Sequence, residues 1–260
     1  MVLNHFINWK TFLFDLSNRI AIVTGASQGI GNTIAKVLAH SGAHVICIAR
    51  TEEKLKDITN QIKDSGGSAD YISCDISDGN HFTNSIKTVI KNHEKLDILI
   101  NNAGMSPLYD KLSDVPEALF DKVIDVNLKG PFRAMAYAGE KMAASGGGSI
   151  VNISSTASLH PSPNAAAYGA AKAGLNSLTQ SFAHALGPTV RVNCIAAGPF
   201  LTDISKAWDL EAFEASQEGN RAIPRGGDPK EIVGAALYFA SPSSSFTTGT
   251  LITVDGGGRS

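Results

Sequence analysis

Cysteine is scarce. Cys47, Cys74 and Cys194 are the only three among 260 residues, far apart in the apolar stretches VICIAR, YISCDI and VNCIAA. No Cys-x-x-Cys pair and no Cys/His ligand spacing exists, which removes zinc and iron–sulfur readings. The histidines, His160 and His184 included, show no mutual spacing that suggests a metal either. An odd count of thiols without a secretory pattern points to reduced, buried cysteines in a cytoplasm. Long hydrophobic runs are missing as well; none approaches the ~20 apolar residues of a membrane span. Neither charge dominates: Lys+Arg 22 and Asp+Glu 24 leave a net charge of −2. The charges are scattered, so the concentrated basic face that nucleic-acid binding needs is absent. The opening MVLNHFINWKTFLFDLSNRI lacks a charged segment followed by an unbroken apolar one. The expectation is a cytoplasmic protein whose residues 1–16 form an N-terminal extension, frayed or docked through its aromatics. With no linker rich in Pro or Ser and no repeat, residues 17–260 read as one domain.

What is present in excess is glycine, 25 residues, against a usual share of ~7%. Short β-branched runs alternate with amphipathic stretches almost to the end. Strands are expected at Ile20–Thr24, His44–Ala49, Asp70–Asp75, Leu96–Asn101, Ser149–Ser154, Val190–Ala196 and Thr250–Val254. Their apolar residues are mostly consecutive, the pattern of a parallel sheet buried on both faces. Helices are expected at Ile30–His40, Glu52–Ser65, Asn80–His93, Ala118–Ala144, Ala166–Leu186 and Pro229–Ala240. That alternation implies βαβ units and a doubly wound α/β fold of about seven strands, Rossmann-type, with helices on both faces. Residues 202–225 break the alternation. Such an excursion inside a compact domain reads as a substrate-covering lid.

Directly after the first strand comes Thr24-Gly25-Ala26-Ser27-Gln28-Gly29-Ile30-Gly31, leading into a helix. Converging N–H groups and the helix dipole make such a turn an anion site, fit for a dinucleotide pyrophosphate. Gly25 would allow the tight turn, Gly29 the close approach, and Gly31 the packing of helix on strand. Ser27, Gln28 and Ile30 belong to the same cofactor turn. Tyr168 and Lys172 are four apart in Ala-Ala-Tyr-Gly-Ala-Ala-Lys, so on a helix they share one face. Reduction of a carbonyl by hydride needs a proton donor, and a neighbouring ammonium stabilises phenolate and lowers the tyrosine pKa. Ser155, at the end of the fifth strand, would hydrogen-bond the substrate oxygen.

These motifs, in this order and at these intervals, resemble the short-chain dehydrogenase/reductase family. The resemblance runs from about residue 17 to 258 through Gly25-x-x-x-Gly29-x-Gly31, Cys74-Asp75, Asn101-Asn102-Ala103-Gly104, Asn127, Ser155, Tyr168-x-x-x-Lys172 and Gly198-Pro199. It implies a catalytic set of Asn127, Ser155, Tyr168 and Lys172. Asn127 would kink its helix and extend a proton relay through a water towards Lys172. Asn102, Ala103 and Gly104 would pass beside the adenosine half of a nicotinamide cofactor. Asp75 would accept from the adenine amino group, with Ile76 next to it; a plain helix N-cap is the other reading of Asp75. Pro199, Phe200 and Thr202 would meet the nicotinamide end, although Ala197 stands where relatives commonly carry proline. Ser154 competes with Ser155, and the family spacing favours Ser155.

The second strand ends Ala49-Arg50, without an acid to hold a ribose 2′-OH. Arg50 suits a 2′-phosphate, so NADP(H) is expected to be preferred, with NAD(H) possible. The activity implied is interconversion of a secondary alcohol and a ketone or aldehyde. A 3-oxoacyl-thioester reductase and a sugar, polyol or steroid dehydrogenase all remain open within it. A dinucleotide-sensing regulator without catalysis is the alternative of another class, and it would be expected to lack Tyr168 or Lys172. The expected substrate is a small, hydrophobic molecule held by Ser106–Tyr109, Ser158–Asn164, Phe200 and the lid. The small-residue faces of Ala118–Ala144 and Ala166–Leu186, with Ile252–Gly257, suggest a homotetramer.

Overall fold

A computed structural model describes residues 13–202, 205 and 210–258. Its strands are β1 (Ile20–Thr24), β2 (His44–Ala49), β3 (Ser68–Ser73), β4 (Ile98–Asn101), β5 (Gly148–Ser155), β6 (Val190–Ala197) and β7 (Leu251–Val254). Among the described residues they form one sheet in the order β3-β2-β1-β4-β5-β6-β7. Every pairing is parallel. The helices are α1 (Gly29–His40), α2 (Glu52–Asp64), α3 (Gly79–His93), α4 (Glu117–Ile124), α5 (Gly130–Ala144), α6 (Ala166–Leu186), α7 (Leu210–Gln217) and α8 (Val233–Ala240). One core packs Ile34 and Leu38 of α1, Leu55 of α2 and Phe239 of α8 against one face of the sheet. The other packs Phe82 of α3, Met135 of α5 and Leu175 of α6 against the opposite face. This is the doubly wound arrangement the alternation implies. The chain order reverses between β1 and β4, where open α/β sheets place their ligands.

Three expectations shift. β3 covers Ser68–Ser73 rather than Asp70–Asp75, because it pairs with β2 from His44↔Ser68 to Ala49↔Ser73 and ends where β2 ends. As an edge strand it alternates buried Ala69 with exposed Asp70, so a search for consecutive apolar residues misplaces it. The single helix expected over Ala118–Ala144 is divided: α4 and α5 are joined by a π-helical turn, Asp125–Lys129, around Asn127. Leu16, counted in the expected N-terminal extension, is buried in the first core, and its N–H donates to Ser41 O at 2.8 Å. Most of the N-terminal extension lies outside the described residues.

Segment 202–225 departs from and returns to one point. Leu201 N donates to Gly227 O at 2.8 Å, and Gly227 N donates to Pro199 O at 3.0 Å. Arg225 then grips Glu231 through both terminal nitrogens, at 2.8 and 2.7 Å. Within the segment α7 is the described helix. Trp208 lies outside the described residues.

Candidate active site

The site forms at the carboxyl ends of β1, β4 and β5. At β1 the buried Thr24 acts as a hub that sequence reading passed over. Its Oγ1 donates to Ile100 O (3.2 Å) and accepts from the N–H groups of Asn102 (3.0 Å) and Ala103 (3.1 Å). A hydroxyl on the last strand residue before a glycine turn was the available signal. Gly25 and Gly29 take φ of +67° and +56°, a region that L side chains rarely adopt. Gly31 sits where a Cβ would lie 2.4 Å from both Asn102 Nδ2 and Gly25 O. Its missing side chain admits both the Asn102 carboxamide and the Gly25 carbonyl against the first turn of α1. Among the described residues, only Thr202 comes within 4 Å of a Cβ added at Gly29, at 3.2 Å. The backbone there is open to a ligand, as a pyrophosphate cradle requires.

One cleft of about 480 Å³ is lined by every expected cofactor residue: Gly25, Ser27, Gln28, Gly29, Ile30, Arg50, Asp75, Ile76, Asn102, Ala103, Gly104, Tyr168, Lys172, Pro199, Phe200 and Thr202. Ser155 lines it too, with Met105, Ser106 and Leu108 at the reacting end. None of Ser158–Asn164 lines it among the described residues. Ser158 turns inward, its Oγ donating to Ser155 O at 2.6 Å. Tyr109 braces the neighbouring loop instead, its hydroxyl accepting from Ala167 N at 3.2 Å. A separate cavity of about 440 Å³ lies beyond Thr202, beside Asn32, Leu210 and Pro229, and holds none of the catalytic set.

Asp75 lies in the turn after β3. Burial would raise its carboxyl, but the Ser77 backbone and hydroxyl and the Lys122 ammonium hold it down at about 2. Oδ1 accepts from Ser77 N and Oγ, and Oδ2 pairs with Lys122 Nζ at 3.0 Å. The N-cap of α3 is Asp78, which accepts from His81 N, so the plain capping reading of Asp75 fails. Lys122 lies 47 residues from Asp75 in sequence, and only the tertiary fold brings the two together.

Ser155, Tyr168 and Lys172 converge. Ser155 Oγ accepts from Ala157 N at 3.1 Å, which leaves its own proton to donate. Ser154 also lines the cleft, but it is buried and its Oγ donates to Lys172 O at 3.2 Å. Lys172 Nζ lies 5.7 Å from the Tyr168 ring centroid and donates to Ile153 O at 2.8 Å. Burial drives the Lys172 ammonium down to about 8. The expectation that Lys172 lowers the Tyr168 pKa is not met. Burial pushes the phenol up, and the Ser155 hydroxyl is the one group that opposes it.

Asn127 lies behind the cleft wall, fully buried. Its Nδ2 donates to Val123 O and Met105 O, both at 2.9 Å, and its Oδ1 accepts from Met105 N at 3.3 Å. A side chain that bonds both its own helix and a neighbouring loop accounts for the π turn. A Cβ on Gly104 would meet Asn127 Oδ1 at 2.8 Å and Lys172 Nζ at 3.5 Å, so Gly104 is the thin partition between the two. The three cysteines are buried and free, and burial pushes Cys47 up to about 12 and Cys194 to about 11. They are packing residues.

A family model described as enoyl-(acyl carrier protein) reductase matches residues 25–258. "Dehydrogenase/reductase SDR family member 4" of Bos taurus is 36% identical over 247 residues, 94% of this chain and 88% of that protein. A structure of 7α-hydroxysteroid dehydrogenase, complexed with NADH and 7-oxo glycochenodeoxycholic acid, superposes with a TM-score of 0.89 at 33% identity. That match covers 95% of this chain and 96% of that one. A structure from Beutenbergia cavernae, described as a candidate NAD(P)-dependent gluconate 5-dehydrogenase with bound NADP at low occupancy, gives 0.87 at 33% identity. It covers 94% of this chain and 98% of that one. The chain belongs to the short-chain dehydrogenase/reductase family, and so to the NAD(P)-dependent oxidoreductases that act on CH–OH groups.

Proposed function

We propose that the protein reduces a small hydrophobic ketone to a secondary alcohol, with NADP(H) preferred, and runs the reverse oxidation when conditions favour it. The observation that carries this reading is the convergence of Ser155, Tyr168 and Lys172 on the cleft bounded by the Gly25–Gly31 turn. Bound nicotinamide supplies or takes the hydride. Ser155 donates to the substrate oxygen and holds it near the phenol, and Tyr168 passes its proton to the oxygen as negative charge develops. Lys172, 5.7 Å from the Tyr168 ring centroid, keeps a cation beside the phenol on the cleft wall, with Asn127 behind Gly104. A regulator that had lost its chemistry would have no reason to keep this set together. The hydrophobic substrate is supported by Met105, Leu108 and Phe200 on the cleft wall. Segment 202–225 would close over it, hinged on the Leu201–Gly227 contact.

Arg50 supports the cofactor preference, because it stands on the cleft wall and no ion pair holds it among the described residues. A guanidinium recognises phosphate through two parallel bonds. The expected kcat/KM ratio favours NADPH over NADH by about tenfold or more, the ~1.4 kcal/mol of one charge-assisted contact. A ketone panel assayed with both cofactors measures it. Equal values, or a preference for NADH, would remove Arg50 as the phosphate reader.

A homotetramer in the cytoplasm completes the reading. Phe120 and Phe132 are 45% and 47% exposed on α4 and α5, and Phe132 meets Phe182 of α6 edge-on at 5.6 Å. Exposed apolar side chains on helices are what a two-fold interface buries. Among the described residues no helix is long and apolar enough to cross a membrane. Light scattering at micromolar concentration is expected to return four times the chain mass, and a monomeric mass would refute the assembly.

A further inference from the structure

The adenosine end of the cleft contains a hydrogen bond that its glycine turn does not require. Gln28 occupies the N-cap position of α1, yet its side chain makes no capping hydrogen bond. Its Oε1 instead accepts from Lys54 Nζ at 2.8 Å, across from α2. Gln28 lines the cleft together with Arg50 and Thr51, so the Lys54 ammonium stands one hydrogen-bond length from that wall. An ammonium has three protons, and Gln28 takes one of them. The acids beside it in sequence do not neutralise it. Glu52 is held by Lys56 at 2.9 Å and by the Tyr71 hydroxyl at 3.3 Å, and no ion pair joins Glu53 to Lys54 among the described residues. Two cations therefore border the place where the two cofactors differ, one of them anchored by a neutral side chain of the cofactor turn.

We infer that Lys54, held on Gln28, is a second ligand for the 2′-phosphate of NADP(H) beside Arg50; this rests on the reading of Arg50 given above. Gln28 carries no charge, but it brings one to the phosphate. An ammonium already fixed by one hydrogen bond loses less rotamer freedom when it meets an anion than a free surface lysine does. NADH offers Lys54 no phosphate at this position, so the residue discriminates rather than adding to the binding of both cofactors.

Isothermal titration of NADPH and NADH into the wild-type protein and Lys54→Met tests the inference without any substrate. The wild type is expected to bind NADPH more tightly than NADH. Lys54→Met is expected to weaken NADPH about 5- to 20-fold and to leave NADH within about twofold, the effect of losing one charge-assisted contact. Lys54→Arg should retain most of the NADPH affinity. If the wild type prefers NADPH and Lys54→Met keeps that preference, Lys54 is overturned while Arg50 stands. If Lys54→Met weakens both cofactors alike, Lys54 supports the turn and does not read the phosphate. If the wild type binds both cofactors equally or favours NADH, the Arg50 reading fails and Lys54 fails with it.

Discussion

Replacing Tyr168 with Phe is expected to abolish most turnover and leave cofactor binding nearly intact. The substitution removes one hydroxyl and keeps the ring, so the packing of α6 against the cleft does not change. What is lost is the proton donor. A phenol is protonated at neutral pH, as reduction requires, and burial pushes this one further up. Ser155 cannot replace it, since a serine hydroxyl donates a hydrogen bond but is a far weaker acid. Removing a positioned general acid typically costs ~10²–10⁴ in rate. The dissociation constant for NADPH should stay within about twofold, because the phosphate and adenosine contacts are distant from the hydroxyl. Retention of more than about a tenth of the wild-type kcat, a barrier change of ~1.4 kcal/mol or less, would remove Tyr168 from the acid–base role.

The second large effect is expected from Gly31→Ala, which adds one methyl group to the first turn of α1. The new Cβ would lie 2.4 Å from Gly25 O and 2.4 Å from Asn102 Nδ2. Neither neighbour yields easily. Gly25 O belongs to the backbone of the cofactor turn, and Asn102 Nδ2 is committed to Thr24 O at 3.0 Å and Gly25 O at 3.3 Å. Overpacking of this kind costs ~1–3 kcal/mol. Because the atoms that must move are those that would cradle the pyrophosphate, the cost falls on cofactor affinity as well as on folding. NADPH affinity is expected to fall about tenfold or more, with a lower Tm for the unliganded protein. Gly66→Ala is the companion variant: Gly66, unlike Gly31, is at positive φ, and an added Cβ there has nothing within 4 Å among the described residues, so it strains one loop and leaves the cleft alone. NADPH binding by Gly31→Ala within twofold of wild type would contradict this account of the turn.

The parts of this architecture legible in the sequence were those with local causes. β1 and β2 fall at the residues their β-branched runs mark, because both are interior strands buried on two faces. The helix interruption at Asn127 was legible because asparagine is a weak helix former and the resembled family carries one at the matching position. What stayed hidden depends on contacts between distant segments. The end of β3 is fixed by the length of β2, not by its own composition. Thr24 becomes a hub only when β4 brings Asn102 and Ala103 beside it. Lys122 and Lys54 look like ordinary helix surface charges until the fold places them against Asp75 and Gln28. The Tyr168 pKa was misjudged for a similar reason: helical spacing puts Lys172 on the same face, but it does not show that both groups are buried and that Lys172 bonds Ile153 O.

The measurement that tests the central claim most directly follows deuterium from NADPH, dideuterated at C4 of the nicotinamide, into product. A panel of ketones, sugars, steroids and acyl thioesters is incubated with the wild-type protein, and the alcohols formed are analysed by mass spectrometry. The account predicts that at least one hydrophobic ketone yields an alcohol one mass unit heavier, with deuterium on the carbinol carbon. The hydroxyl proton comes from solvent through Tyr168, so Tyr168→Phe should lose the labelled product in step with kcat. Labelled cofactor left unconsumed across the whole panel, or an alcohol formed without deuterium on that carbon, would contradict it.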